Sequence, residues 1–454
     1  MEVSILETSG LGDRSYLISE GGTAVAVDPQ RDIDRLLAIA GELNVRITHV
    51  LETHIHNDYV TGGLELARVT GAEYVVPGGE DVDYPRRAIV DGDIIDAGPI
   101  RLRAIHTPGH TDHHVSYVLI DGASDAVAVF TGGSLLHGST GRTDLLGAEH
   151  TEDLSHAQFH SARKLARELP AATTVYPTHG FGSFCSATPT AGDSSTIGEQ
   201  RVSNPALTQD EETYVAELLA GLAEYPAYYA HMGVINRAGP DPVDLSTPEP
   251  VDPGQLRSRI DAGEWIVDLR HRTAFAAGHL GGSFGFELSG SFVAYIGWLY
   301  AWGAPLTLIG DSDDQIADGR RELARIGIDN IVGATSKPVD VLAGGTPLRS
   351  YRVADFAALA AAQSDENAAE IVVLDVRQLH EYRKSHLRGA HNIPIHELTD
   401  RIGELPTGQV WVHCASGYRA SIAASLLDHH GRAVVLVDDE FANADSVALS
   451  PAPD

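Results

Sequence analysis

In the stretch THIHND, His54 and His56 sit two residues apart, and Asp58 follows two later. Two more histidines close short apolar runs elsewhere: His110 ends HTPGH, and His179 lies in YPTHG. Neutral imidazoles converging on one point suit zinc or non-haem iron. Each histidine alone reads as an ordinary core or surface residue. Together, at the ends of predicted strands and with a carboxylate alongside, they read as a metal centre. The C-terminal part holds a second reactive element. Cys414 follows the apolar run VWVH and precedes ASGYR and a helical pattern. A cysteine so placed meets unpaired backbone N–H groups and the positive end of a helix dipole, which favour a thiolate. Gly417 lets the backbone curl and Arg419 adds positive charge, so the loop reads as a nucleophile inside an anion cradle.

The patterning predicts strands over 23–29, 47–54, 74–77, 100–110, 114–120, 126–133 and 173–180. It predicts helices over 31–43, 62–71 and 151–170, the last with Thr151 as N-cap and Pro170 as stop. The candidate ligands therefore fall at carboxyl ends of strands, where open α/β sheets place their sites. Residues 238–254 are rich in Pro, Asp and Gly and mark a boundary. Beyond it the chain repeats itself. With Asp268 aligned to Asp375, Arg270 meets Arg377, Phe275 meets Tyr382, His279 meets His386, and Gly282 meets Gly389. The expected organisation is three α/β domains, 1–238, 250–342 and 350–454. The first copy has Gly310 where Cys414 would stand, followed by Asp311, Asp313 and Asp314. Those charges would repel an anion, so this copy is expected to be structural.

Asp and Glu number 63 against 32 Lys and Arg, a formal net charge of -31, which argues against nucleic acid or an anionic membrane as partner. The run from Leu288 to Gly310 carries no charge and is long enough to span a bilayer. Ser, Gly and Pro interrupt it, and its end coincides with a repeat strand, so a buried helix and a core strand are expected. Part of it, 292–302, would suit a subunit contact in a homo-oligomer if exposed. Two cysteines, Cys185 and Cys414, exclude a disulfide framework, and no secretory signal is visible. A reducing, cytoplasmic setting is the expectation.

The motif THIHND, with TPGH and PTHG after it, resembles the H-x-H-x-D signature and later histidines of the metallo-β-lactamase fold. The segments 107–118, 129–145 and 195–205 look like its persulfide dioxygenase branch. The resemblance implies an αββα sandwich and one mononuclear Fe(II), with zinc as the alternative. It implies oxidation of a small thiol persulfide by O2 to sulfite. It makes His54 and His110 ligands, leaves His56 as the further donor, and sets Asp58 and His179 beside them, orienting ligands or bound water. Two departures stand out. Tyr59 replaces the histidine that serves a second metal in hydrolytic members. Gly133, in FTGG, replaces the usual carboxylate ligand, so the metal must be held without it. Arg142 is a candidate for binding the anionic end of the substrate thiol, with an internal salt bridge to Asp144 as its other reading. Cys185 reads either as a loop thiol relaying persulfide or as a small buried hydrophobe.

Cys414, Gly417 and Arg419, as C-x-x-G-x-R, resemble the rhodanese (sulfurtransferase) active loop, and 374–395 resembles that family's earlier signature. The resemblance implies sulfane-sulfur transfer through Cys414 and Arg419, with thiosulfate or sulfite as partner and Asp375 and Arg377 in structural positions. Two other readings remain open. One is a sulfurtransferase whose first domain has lost its metal and only binds substrate or a partner. The other is a thioester hydrolase of the glyoxalase II kind.

Overall fold

Alternation in one strand sets the N-terminal architecture. In Thr23–Val27, Val25 and Val27 point into one apolar cluster while Ala24 and Ala26 point into another. A strand that buries both faces must lie between two layers. In this computed structural model, which describes residues 1–122, 125–187, 190, 192–364, 370–447 and 449, it does. Two mixed six-stranded sheets stack face to face. The first runs in chain order from Glu2–Thr8 to Arg87–Ile89, and the second runs backwards from Ser195–Thr196 to Ile94–Ala97. Between them lie Tyr16, Val25, Val27 and Leu51 of one sheet and Leu102, Tyr117 and Phe130 of the other. Alanines on the outer face let the helices Asp34–Glu42 and Gly63–Thr70 lie close, burying Leu36, Ala40, Leu66 and Ala67. The helices Ala148–Glu168 and Glu211–Gly221 cover the other sheet. The result is an αββα sandwich.

The hairpin of Glu2–Thr8 and Asp13–Glu20 had no counterpart among the predicted elements. The long helix begins at Ala148, capped by Gly147, and not at Thr151. Thr151 lies inside the first turn, where its hydroxyl donates back to the Gly147 carbonyl at 3.0 Å. The small polar residue that looked like a cap thus bonds backwards within the helix.

Met1–Asp244 with Glu322–Gly327 forms one compact unit, and Leu245–Arg321 with Ile328–Asp454 forms another. The second unit holds two parallel sheets of matching strand order. One runs Phe284–Gly285, Trp265–Asp268, Leu306–Ile309, Ile331–Thr335. The other runs His391–Asn392, Ile371–Asp375, Gln409–His413, Val434–Val437, with Arg352–Ala354 added at the edge. Matched side chains do matched work. Arg270 clamps Asp268 and donates to the Gly278 carbonyl at 2.9 Å, as Arg377 clamps Asp375 and donates to that of Ser385 at 2.7 Å. Phe275 stacks on His279 at 4.1 Å, and Tyr382 on His386 at 4.0 Å.

The uncharged run folds as the helix Phe292–Leu299 followed by the strand Leu306–Ile309. Among the described residues no helix is long and apolar enough to cross a membrane. Phe292, Val293, Ile296 and Trp298 are buried, whereas Trp302 at the end of the stretch is exposed.

Candidate metal centre and cysteine loop

The strand Arg46–Leu51 delivers the chain to the first motif at its carboxyl end. The turn that follows is held from three sides. The Thr53 amide and hydroxyl donate to the two Asp28 oxygens, each at 2.7 Å. Asn236 donates to the carbonyls of His56 and Tyr59 at 2.8 Å each, and the Tyr228 hydroxyl donates to the Asp58 carbonyl at 2.8 Å. Asp28 itself takes φ +49°, a left-handed conformation rare outside glycine, Asn and Asp. The strands Ile100–His106, Asp125–Gly132 and Thr174–Pro177 end at the same edge and bring His110, Gly133 and His179 to it.

The hydrogen bonds decide which ring nitrogens face inward. Thr53 Oγ1 donates to Asp28, so it accepts from His54 Nδ1–H, 2.9 Å away. His110 Nδ1 donates to the Arg142 carbonyl at 2.7 Å. His179 Nδ1 donates to Asp13 and Asp58 at 2.9 and 3.0 Å. Each ring, when neutral, therefore turns a lone pair on Nε2 toward the others. The three donor atoms lie within 4.8 Å of one another, and His54 Nε2 is 3.3 Å from His179 Nε2. Two ligands of a tetrahedral ion with bonds of about 2.05 Å stand about 3.3 Å apart. His110 Nε2 is buried with no hydrogen-bond partner. The donor set fits a metal ion.

The charges agree. Burial opposes protonation of His179, but Asp58 and Asp13 outweigh it and hold its pKa up at about 10 without a metal. Burial, aided by the positive His179, pushes His110 down to about 3, and burial with the neighbouring rings lowers His54 well below its usual value. Burial and the charge of Asp58 push Asp13 up to about 7, while His179 overcomes burial to keep Asp58 ionised. A cation of higher charge would take the place of the proton between His54 and His179.

Several expected roles come out differently. The geometry groups His179, expected beside the ligands, with His54 and His110 as close donor atoms. His56, expected as a ligand, has Nε2 committed to Glu52 at 3.3 Å, Asp28 at 3.4 Å and the Tyr59 hydroxyl at 3.0 Å. Burial would lower its pKa, but Asp28 and Glu52 raise it to about 9, which makes it a counter-ion to two buried carboxylates. Its Nδ1 has no partner, and His56, Asp58 and His179 form a second cluster of close donor atoms. Arg142 takes the other of its two readings, the internal salt bridge. It donates to both Asp144 oxygens at 2.7 and 2.8 Å, to Phe184 O at 3.0 Å and to Ala223 O at 2.7 Å, leaving one of five N–H donors. Its contribution to the centre is its carbonyl, which fixes His110. Cys185 lies beside the cluster but is fully buried, with Sγ 3.8 Å from the Tyr229 hydroxyl. Burial and the negative Asp58 push its thiol pKa well up, which matches the second of its two readings, a small buried residue.

Gly133 leaves no room for the missing carboxylate, because a Cβ there would collide with the His110 ring. Its amide donates to His114 Nε2 at 3.0 Å, and the His114 ring stacks on His54 at 5.0 Å. Neither His114 nor Asp13 was singled out from the sequence. His114, four residues past His110, offered a spacing signal, whereas Asp13 offered none.

In the C-terminal copy, the strand Gln409–His413 runs into Cys414, and the helix Tyr418–His429 begins behind Gly417. Gly417 takes φ +87°, and a Cβ on it would collide with Asp438 Oδ1, so only glycine fits. Among the described residues the amides of Ala415, Ser416 and Gly417 donate to nothing, which leaves them open to an anion. Arg419 is not a lone cation: it pairs with both Glu381 oxygens, at 2.5 and 2.9 Å. Despite burial, Arg419 holds the Glu381 carboxyl below its usual range. In the first copy the corresponding loop is closed by Gln315, which accepts from the Asp311 amide at 2.7 Å and donates to the Leu269 carbonyl at 3.1 Å.

Residues 11–179 match the model of the metallo-beta-lactamase superfamily, and residues 356–443 match that of the rhodanese-like domain. The chain is 30% identical over 250 residues to the mitochondrial persulfide dioxygenase of Homo sapiens, covering 54% of this chain and 83% of that protein. It is 36% identical to a hydroxyacylglutathione hydrolase-like protein of Mus musculus, over 36% of this chain and 56% of that one. A crystal structure of a metallo-beta-lactamase from Staphylococcus aureus superposes with a TM-score of 0.67 and 29% identity, over 74% of this chain and 98% of that chain.

Proposed function

Because the chain belongs to the metallo-beta-lactamase superfamily and ends in a rhodanese-like domain, we propose that it oxidises a small thiol persulfide at the His54–His110–His179 centre and moves sulfane sulfur on Cys414. The persulfide dioxygenase relatives and the rhodanese-like domain support an enzyme of sulfur metabolism. The observation that carries the proposal is the set of three Nε2 lone pairs turned inward by their Nδ1 partners. A bound Fe(II), one per chain, would supply the redox centre at which the persulfide sulfur and dioxygen react. Persulfide, dioxygen and water then give thiol, sulfite and two protons. The S–S bond breaks, the outer sulfur loses four electrons, and dioxygen gains them.

The protein's own groups set the stage. Thr53, the Arg142 carbonyl and the Asp13–Asp58 pair hold the three rings as Nε2 donors. His56 balances the charges of Asp28 and Glu52. Asp13, with a pKa of about 7 and an unpartnered Oδ2, can hold or release a proton there. At the other site the Cys414 thiolate attacks the sulfane sulfur of a donor. The donor's bond to that sulfur breaks and its electron pair leaves with the fragment. An acceptor then takes the sulfur from Cys414 and restores the thiolate. We read 1–238 as the oxidising domain, 250–342 as a rhodanese-like copy without its cysteine, and 350–454 as the active copy. We read the setting as reducing and cytoplasmic.

The likeness to a hydroxyacylglutathione hydrolase-like protein favours a second reading, thioester hydrolysis. Tyr59 speaks against it, because its hydroxyl bonds His56 where a second-metal donor would be needed. Oxygen consumption by the iron-reconstituted full chain, supplied with glutathione persulfide, separates the two. Uptake with matching sulfite release supports the oxygenase. Thioester cleavage without uptake overturns it in favour of the hydrolase, and neither activity leaves sulfur transfer alone.

A further inference from the structure

The copy without a cysteine has a cavity of its own. The helix Pro253–Asp261, the turn at Leu280 and Gly281, and residues 342–349 enclose about 240 Å³. Most of its wall is apolar. Leu256, Leu280, Leu342 and Ala343 line it and belong to one buried cluster of this copy, and the partly buried Ile260 packs against that cluster. The cavity is thus an open margin of a hydrophobic core, where leucine and isoleucine side chains lack partners on one side.

The polar side chains on the lining are Arg257, Arg349 and Thr346, with no carboxylate among them. The chain as a whole carries 63 acidic residues against 32 basic ones, so this local balance runs opposite to its composition. Arg257 and Thr346 are exposed at the mouth, where the Arg257 guanidinium donates to the Thr346 hydroxyl. Among the described residues Arg257 has no carboxylate partner. Arg349 does have one, because it donates to Asp428 Oδ1 at 2.8 Å. Apolar walls that end at an unmatched guanidinium suit a ligand with an apolar body and one carboxylate. A water occupies about 30 Å³ in the liquid, so the space matches about eight non-hydrogen atoms.

We propose that the copy without a cysteine is a binding domain, and that its cavity takes a small amphipathic carboxylate, of the size of hexanoate, with the anionic end on Arg257. The aliphatic chain of the ligand leaves water for the surface of Leu256, Ile260, Leu280 and Leu342. Its carboxylate accepts from the guanidinium that no acid of the protein neutralises. No bond is made or broken. The cavity shares no residue with the Cys414 loop, so the inference stands whether or not that cysteine carries sulfur.

The test is calorimetric titration of the full chain with hexanoate and, separately, with neutral hexanamide. Wild type is set beside Arg257→Gln and Thr346→Trp. Both positions are exposed, so neither variant disturbs the core, and melting temperatures check that each folds. The expected result is saturable binding of hexanoate to wild type with a Kd of about 0.1–1 mM. Arg257→Gln should weaken it by about 10-fold or more, and hexanamide should bind wild type more weakly by a similar factor. Thr346→Trp should abolish binding by blocking the mouth. No saturation by hexanoate up to about 10 mM overturns the proposal. So does equal binding of hexanamide, because the anion would then not be recognised. A hexanoate Kd unchanged in Arg257→Gln overturns it as well, since the ligand would then sit elsewhere on the chain.

Discussion

At position 133 a single missing carboxylate reshapes the centre. Glycine lets the backbone lie directly under the His110 ring, held there by the bond from its amide to His114. His179 Nε2 lies 3.3 Å from His54 Nε2, and the two rings with that of His110 could hold an ion. Restoring the acid would therefore not restore a ligand. Gly133→Asp is expected to push His110 aside, lower stability by about 1–3 kcal/mol and reduce metal content. Thermal melts and elemental analysis of the variant check this, and a gain in bound metal with unchanged stability would show that the space exists. How much of this was legible follows from where each partner lies in the chain. His54, His110 and His179 announced themselves by type and by sitting at strand ends. That Arg142 spends its guanidinium on the carbonyls of Phe184 and Ala223 did not, because those partners lie 42 and 81 residues away and are backbone atoms of any residue type. Asp13 was hidden in the same way, by a separation of 166 positions from His179.

At the scale of elements, the loop–helix junction at Cys414 depends on a pair drawn from two helices. Glu381, on Leu379–Lys384, clamps Arg419, on Tyr418–His429, with two hydrogen bonds. The Glu381 pKa is depressed in the folded state from an unperturbed 4.5. Its contribution is thus fully present above pH 4.5 and is lost as pH falls below that toward the folded value. The Glu381 side chain is 26% exposed, so solvent screening keeps the effect modest, about 1 kcal/mol. Melting temperatures of wild type and Glu381→Gln should differ at pH 7 and converge only as pH falls through the depressed Glu381 value. A gap that persists unchanged in acid would show that the pair acts through packing. The repeat itself was legible, because Asp268–Arg270 and Asp375–Arg377 recur with their neighbours. The contacts of the helix Phe292–Leu299 with Tyr418 and His396 were not. An uncharged run reads as core, and only the fold shows that Tyr295 and Trp298 look out of it.

On the proposed reading, one chain carries both an oxidising centre and a sulfur carrier. Joining them raises the effective concentration of a reactive sulfur species whenever the product of one is the substrate of the other. The two chemistries nevertheless use separate groups: buried imidazoles in one unit, a thiol at a helix start in the other. Cys414→Ser should therefore abolish thiosulfate-dependent sulfur transfer and leave oxygen uptake with glutathione persulfide within about twofold of wild type. Parallel loss of both activities would mean that Cys414 feeds the oxidation step directly.

The claim beneath all of this is that three histidines hold a metal without help from a carboxylate. Elemental analysis of the full chain after anaerobic reconstitution with iron tests it most directly, with wild type set beside His54→Ala, His110→Ala and His179→Ala. Stoichiometric iron in the wild type, lost in each variant including His179→Ala, is the expected result. An iron-free wild type, or a His179→Ala chain that keeps its full complement, would contradict it.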